Sequence, residues 1–159
     1  MEQYIKPFIN VCIDVFKQFI GCEIAAKIPY FSEKDSIAGG DISAVIGFTG
    51  EACGAVIISM QKKVAIKLTD ILTGSPHTSM DDDVLDAIGE IVNIIAGNVK
   101  QELGETMNMI ISLPTIVQGA DHIVRWPGSQ TRILCIPFSI FEDDVFTLLV
   151  AIETTTRAH

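Results

Sequence analysis

Apolar side chains recur every three or four residues in three segments of the chain, which predicts three helices. The first covers 5–20, the second covers about 62–72, and the third runs from a cap at Ser79 to about Leu103. A glycine follows each segment, at positions 21, 74 and 104, where a helix commonly ends.

Runs rich in Ile, Val and Ala lie between and after these helices and predict six strands. They cover 22–30, 42–49, 52–60, 107–117, 132–140 and 145–152. Gly50 and Glu51 fit a tight hairpin between the second and third strands, and Asp143 and Asp144 fit a turn between the last two.

The order of elements is helix, three strands and short helix, then helix and three strands, which suggests an internal repeat. Aligning the two halves pairs like residues: Gly21 with Gly104, Gln18 with Gln101, Asn10 with Asn93 and, with a two-residue gap, Pro29 near Pro114. We expect one domain over 1–159, with repeats at about 3–75 and 79–153 and a tail at 154–159. The expected fold class is α/β (α+β), a pseudo-two-fold domain whose helices pack on a mostly antiparallel sheet of six strands.

The chain is acidic and apolar, with a formal net charge of −9, a hydrophobic fraction of 48% and a mean hydropathy of +0.41. The negative charge argues against a nucleic-acid-binding protein, because such proteins need a basic surface. No continuous apolar run is long enough to span a membrane, and the first ten residues do not fit a signal peptide. We therefore expect a cytoplasmic protein with no membrane insertion, and the apolar excess favours a homo-oligomer.

The residues that could hold a metal ion do not form a recognisable set. The four cysteines lack the spacing of a zinc site or a disulfide framework, so we interpret them as core residues: Cys12, Cys22, Cys53 and Cys135. The histidines share no spacing with one another or with an acid and fit loop or tail positions: His77, His122 and His159. Asp81, Asp82 and Asp83 could hold a cation, but consecutive helical residues point in different directions, so helix capping is favoured. No metal bound by this chain is predicted.

Polar residues form a row on one side of the third predicted helix, which is apolar on the other. The core side is expected to hold Val84, Ile88, Ile91, Ile95 and Val99, flanked by Ala87 and Val92. The opposite side carries Asp86, Glu90, Asn93, Gly97 and Lys100, spaced so that neighbours lie along one ridge. The row can be an ordinary solvated face, and that alternative stays open.

Two features of the row favour a function over simple solvation. Asp86 and Glu90 are like charges four residues apart, which weakens a helix, and Asn93 is a mediocre helix former. Gly97 costs about 1 kcal/mol against alanine in mid-helix, and its lack of a side chain would let a partner's backbone approach. The residues of this row are therefore poor choices for helix stability.

At these residues the chain resembles the CheC/CheX/FliY phosphatases of bacterial chemotaxis. The family signature is an acidic or Ser position, a Glu four residues later, an Asn three after that, and a Pro roughly twenty further on. In this chain it reads Asp86, Glu90, Asn93 and Pro114, and the resemblance covers nearly the whole chain. The fuller members carry the motif twice, whereas here Gln3 and Pro7 stand in the first copy where the second has its acids. A chain with one copy of the motif resembles CheX, and this resemblance implies a homodimer.

The resemblance implies dephosphorylation of the aspartyl phosphate on a CheY-type response regulator. It implies catalytic roles for Asn93, which would orient water, and for Glu90, which would pair with the regulator's lysine. Asp86 and Gly97 would contact the substrate, although Asp86 could equally be an ordinary acidic residue of the helix surface. Pro114 would shape a strand edge. Because the chain has no Gly-rich phosphate loop and no arginine cluster, Mg²⁺ is expected in the regulator's active site and no cofactor in this chain.

Two other interpretations stay open at this point. A dimeric binding module of the same fold could recognise a receiver domain or a flagellar switch component without catalysis. A ligand-sensing dimer could carry the polar row as an ordinary surface, and burial of that row, or its coverage by the dimer partner, would favour it.

Overall fold

The computed structural model describes residues 2–32, 36–38, 40–104, 107–126 and 131–154. These residues form three α-helices: α1 (Ile5–Val15, continued by a π-helical turn at Phe16–Ile20), α2 (Lys62–Thr73) and α3 (Asp82–Leu103). They also form ten strands: β1 (Ala25–Ala26), β2 (Tyr30–Ser32), β3 (Ser36–Ala38), β4 (Ile42–Gly50), β5 (Ala52–Met60), β6 (Met109–Ile111), β7 (Thr115–Gln118), β8 (Ile123–Arg125), β9 (Ile133–Ile140) and β10 (Asp144–Thr154). The expected combination of helices with an antiparallel sheet is confirmed.

The ends of the helices follow local chemistry. Gly21 and Gly74 end the first two helices with φ of 79° and 69°, a left-handed conformation that glycine adopts without strain. The predicted cap at Ser79 is wrong, because Asp81 caps α3 by accepting a hydrogen bond from the Val84 N–H at 3.1 Å. A start at Asp82 brings Val84 onto the buried face in the first turn.

The main sheet is six positions wide, and the strand pairings observed in it are antiparallel. It has eight strands rather than six, because each edge position is shared by two short strands, β1 with β2 and β6 with β7. The predicted strands 22–30 and 107–117 are therefore interrupted. Pro29 and Pro114 lie in the gaps, and proline interrupts a strand because it has no N–H to donate.

The middle of the sheet is the pair formed by β5 and β10, in which Val56 lies opposite Val150. The hairpin β4–β5 lies on one side and the hairpin β9–β10 on the other. The first edge, β1 and β2, pairs with β9, and the second edge, β6 and β7, pairs with β4. Two repeats that exchange their edge strands would give this order, and the proposed repeat boundaries stay a prediction.

A two-stranded ribbon, β3 with β8, was not predicted from the sequence. Each of its strands has three residues, which is too few to recognise an alternation of apolar and polar positions in the sequence. His122, predicted as a loop residue, holds the start of this segment to β4, because its Nε2 lies 2.6 Å from Ser43 Oγ and its Nδ1 lies 2.8 Å from the Gly119 carbonyl oxygen.

The main hydrophobic core lies between the sheet and the helices α1 and α3. Phe16 stacks on Phe146, which stacks on Phe138, with ring centroids 4.8 and 5.2 Å apart. A smaller apolar cluster on the opposite face contains Ile57 and Leu149.

Three of the cysteines are buried as predicted, Cys12, Cys22 and Cys135, whereas Cys53 is partly exposed. Among the described helices, none combines the length and the apolar character that crossing a bilayer requires.

His77 lies in the loop between α2 and α3, as predicted, and ties this loop to both helices through acidic partners that its spacing in the sequence did not indicate. Its Nδ1 lies 2.9 Å from Asp70 Oδ1 on α2 and its Nε2 lies 3.4 Å from Asp83 Oδ2 on α3. The hydrogen bond to Asp70 is the main cause that raises the pKa of His77 above its ordinary value of 6.5. Burial opposes this increase, and Asp83 and Asp81 add to it.

Replacement of Gly54 by alanine should destabilise the fold, because a Cβ there would overlap the Ala151 carbonyl oxygen and lie 2.7 Å from Phe48 Cζ. We expect the free energy of unfolding in urea to fall by roughly 3 kcal/mol or more. The matched control is Gly47→Ala on β4, whose Cβ would meet its nearest atoms at 3.7 and 3.8 Å, an ordinary contact. Equal losses in the two variants would contradict the close packing at the centre of the sheet.

Stability should depend on pH through His77. A pKa that is raised in the folded state adds stability that is complete below about pH 6.5 and is lost as the pH rises through the raised value. The free energy of unfolding, measured in urea between about pH 6 and about pH 8, should therefore fall less in Asp70→Asn than in the wild type. The asparagine keeps an oxygen for the His77 backbone N–H, which Asp70 accepts at 2.7 Å. The same slope in both proteins would show that His77 is not the responsible group.

Candidate active site

Helix α3 is held by its apolar side, as its sequence predicted. Its buried face packs into the main core, and the predicted core residues Val84, Ile88, Ile91, Val92, Ile95 and Val99 are each at most 3% exposed. Because this stripe fixes the rotation of the helix, the residues on the other side are directed to the surface.

We call the set Asp86, Glu90, Asn93 and Gly97 the polar ridge. Asp86 and Glu90 are exposed, and Asn93 and Gly97 are half-buried. Among the residues that the structure describes, no hydrogen bond or ion pair occupies the side chains of Asp86, Glu90 or Asn93. The ridge therefore offers two carboxylates and one carboxamide to a partner, and the described residues of the chain do not bury it, which would have favoured a ligand-sensing protein.

Other polar side chains of α3 differ from the ridge because they have bonding partners. Asp81 caps the helix and Asp83 faces His77. Asn98 donates from Nδ2 to the Ile94 carbonyl oxygen at 2.8 Å, so this amide is satisfied by its own helix. Asn93 and Asn98 are thus two half-buried asparagines of one helix, of which only Asn98 has an observed structural bond.

Pro114 is brought to the ridge through a long-range contact that the sequence did not reveal. Gly89 is buried, and a Cβ on it would lie 3.3 Å from Ile116 Cδ1 and 3.8 Å from Pro114 Cγ. The edge of the sheet therefore packs against α3 one residue before Glu90. The glycine within the helical motif was the available signal, since a glycine there permits close approach of another element.

Gly97 lies beside open space, because a Cβ built on it meets no described atom within 4 Å outside its own helix. Packing within the chain therefore does not explain this glycine.

The corresponding positions of α1 lack the acids of the ridge. Gln3 lies in a 3₁₀ turn before the helix, Pro7 lies in its first turn, and Asn10 is exposed. The two acids that precede Asn93 on α3 have no counterparts before Asn10, so the described structure offers one complete set of ridge residues.

Comparison with known proteins gives consistent matches. The family model for the chemotaxis phosphatase CheX matches residues 42–139. The CheY-P phosphatase CheX of Thermotoga maritima is 31% identical over 112 residues, which covers 69% of this chain and 70% of that protein. The solved structure of a chemotaxis protein CheX from Desulfovibrio desulfuricans is 27% identical, covers 96% of this chain and 100% of its own, and has a TM-score of 0.86. That of the chemotaxis protein CheX from Vibrio vulnificus is 26% identical, with coverages of 95% and 99% and a TM-score of 0.85.

Replacement of Gly97 by alanine should stabilise the protein, because alanine is the better helix former and the new methyl group meets no described atom. We expect the free energy of unfolding in urea to rise by about 0.5–1 kcal/mol. A loss of stability would show that Gly97 is needed for packing and would remove the reason to assign it to a partner.

Proposed function

We infer the function of this chain from one premise, that it belongs to the chemotaxis phosphatase CheX family. The chain is a phosphatase that hydrolyses the aspartyl phosphate of a CheY-type response regulator. Glu90 and Asn93 lie at the surface, one turn apart, and their side chains have no bonding partner among the described residues. This observation supports assigning the function to these two residues.

The work of the reaction is divided between two proteins. Phosphoryl transfer to water needs an oriented water molecule in line with the P–O bond and positive charge on the phosphoryl oxygens. The polar ridge carries no positive charge, and Lys100 lies beyond its end, three residues after Gly97. We therefore assign the Mg²⁺, the acidic cluster and the lysine to the regulator, and to this chain only the placement of a side chain and a water.

Asn93 is suited to orient that water. A carboxamide has both donors and an acceptor on a short, uncharged arm, so it can enter an anionic site without repulsion. With no observed bond to break in the free protein, its amide can be used in the complex. The attacking water would accept from or donate to this amide while it approaches phosphorus from the side opposite the aspartyl oxygen.

Glu90 would hold the regulator in register. Its exposed carboxylate can pair with the ammonium group of the regulator's lysine, and a charge-assisted bond of this kind draws that group toward the ridge. Asp86, one turn earlier, would be an accessory contact. Gly97 would let the regulator's backbone approach α3, and Pro114 would support the ridge through Gly89 rather than contact substrate.

We further propose that the protein works in the cytoplasm as a homodimer. Large apolar side chains other than those beside the ridge remain exposed, such as Phe19 at 59% and Ile123 at 69%, and a second copy could cover them. The net charge of −9 supports the absence of nucleic acid among the partners.

Asn93→Ala should abolish most of the catalysis without loss of stability, because alanine is the better helix former and the lost group acts in the transition state. We expect the chain-dependent release of phosphate from a phosphorylated CheY-type regulator with Mg²⁺ to fall by about a hundredfold or more. The matched control, Asn98→Ala, removes an amide from the same helix and should leave the rate within about twofold, because Asn98 bonds to its own helix. Equal rates for the two variants would exclude Asn93 as the water-orienting residue.

A further inference from the structure

A bulge of three residues, 112–114, separates the edge strands β6 and β7 beside α3. Its middle residue, Leu113, is 85% exposed, whereas its neighbour Pro114 is half-buried against Gly89. A leucine this exposed can gain burial when a partner covers it, and Leu113 is set apart from other exposed apolar residues by its position next to the ridge.

The bulge is held on both sides, so the backbone that carries Leu113 is held in place. The Ser112 N–H donates to the Gly47 carbonyl oxygen at 2.8 Å, and Ser112 Oγ accepts from the Gly47 N–H at 3.0 Å. The same hydroxyl donates to the Leu113 carbonyl oxygen at 2.9 Å. On the other side Pro114 packs on α3 and Thr115 pairs with Val45. Preorganisation of this kind lowers the entropy that a partner must supply on binding.

The polar ridge faces the bulge rather than α1. At about 100° per residue, Asp86 and Asn93 are turned from Glu90 by roughly 40° and 60° toward the side on which Gly89 lies. Gly89 is the point where the bulge touches the helix. A protein seated on the ridge with its reactive group at Asn93 therefore extends over Leu113.

The charges of the two partners argue for an apolar contact at this place. This chain has a net charge of −9, and the ridge presents two carboxylates to a phosphorylated aspartate pocket, which is itself anionic before its metal is counted. Apart from the bond proposed between Glu90 and the regulator's lysine, electrostatics thus do little to hold the complex together, and burial of apolar surface can add affinity. Leu113 is the apolar side chain that the bulge places next to the ridge.

We propose that Leu113 is an apolar anchor for the receiver domain of the response regulator, beside its phosphorylation site; this rests on the function proposed above. The anchor contributes to binding of the regulator in its ground state and transition state alike. It therefore acts on affinity and not on the chemical step.

The test is Leu113→Ser, with Ile28→Ser as the matched control. Ile28 is 86% exposed, precedes Pro29 as Leu113 precedes Pro114, and lies between β1 and β2 on the other edge of the sheet. Binding is measured with a CheY-type receiver activated by beryllium fluoride and Mg²⁺, and turnover with the phosphorylated receiver. We expect Leu113→Ser to raise Kd and KM by about tenfold with kcat changed less than about twofold, and Ile28→Ser to change none of them.

Three results would overturn the anchor. Equal Kd values for the two variants would show that Leu113 lies outside the interface. Dissociation of an oligomer by Leu113→Ser, measured by light scattering, would assign this leucine to contact between copies of the chain. A wild type that does not bind the activated receiver would remove both the anchor and the proposed function. Binding that depends on Leu113 without any phosphate release would overturn the proposed function alone.

Discussion

Burial of one apolar stripe, on the long helix α3, determines the position of everything else in the candidate site. The stripe sets the rotation of the helix against the sheet, because turning it would expose side chains such as Ile88 and Ile95 that are fully buried. With that rotation set, Glu90 and Asn93 lie at the surface and Gly89 meets the edge of the sheet. The geometry of the candidate site is thus a consequence of core packing, and the ridge itself can be composed of residues that do little for stability.

The site is chemically incomplete by itself, and its incompleteness matches the reaction. A phosphoryl group needs positive charge around it, and this chain offers carboxylates and an amide. Under the proposed function, the phosphorylated receiver domain would bring its own metal and lysine to such a site. An uncharged amide on a surface helix would then suffice to guide water, and the apolar side chain of Leu113 beside it would contribute to affinity.

The sequence predicted the parts of the structure that depend on local pattern. The stripe and ridge of α3, the left-handed glycines Gly21 and Gly74, and the β4–β5 hairpin follow from periodicity and turn chemistry. Parts that depend on contacts across the fold were missed, including the packing of Pro114 on Gly89 and the contacts of His77 with Asp70 and Asp83. The predicted edge strands ran through Pro29 and Pro114, which lie in gaps between short strands in the structure. A run of apolar residues does not show which backbone N–H groups have to bond to the neighbouring strand.

The most direct test of the central claim is the lifetime of the aspartyl phosphate on a CheY-type receiver with Mg²⁺, when the wild-type chain is present in large molar deficit. We expect one molecule of the chain to release phosphate from many receivers, so the whole phosphorylated population decays faster than it does alone. A lifetime that stays unchanged while the receiver still binds would contradict catalysis and leave a binding module of the same fold.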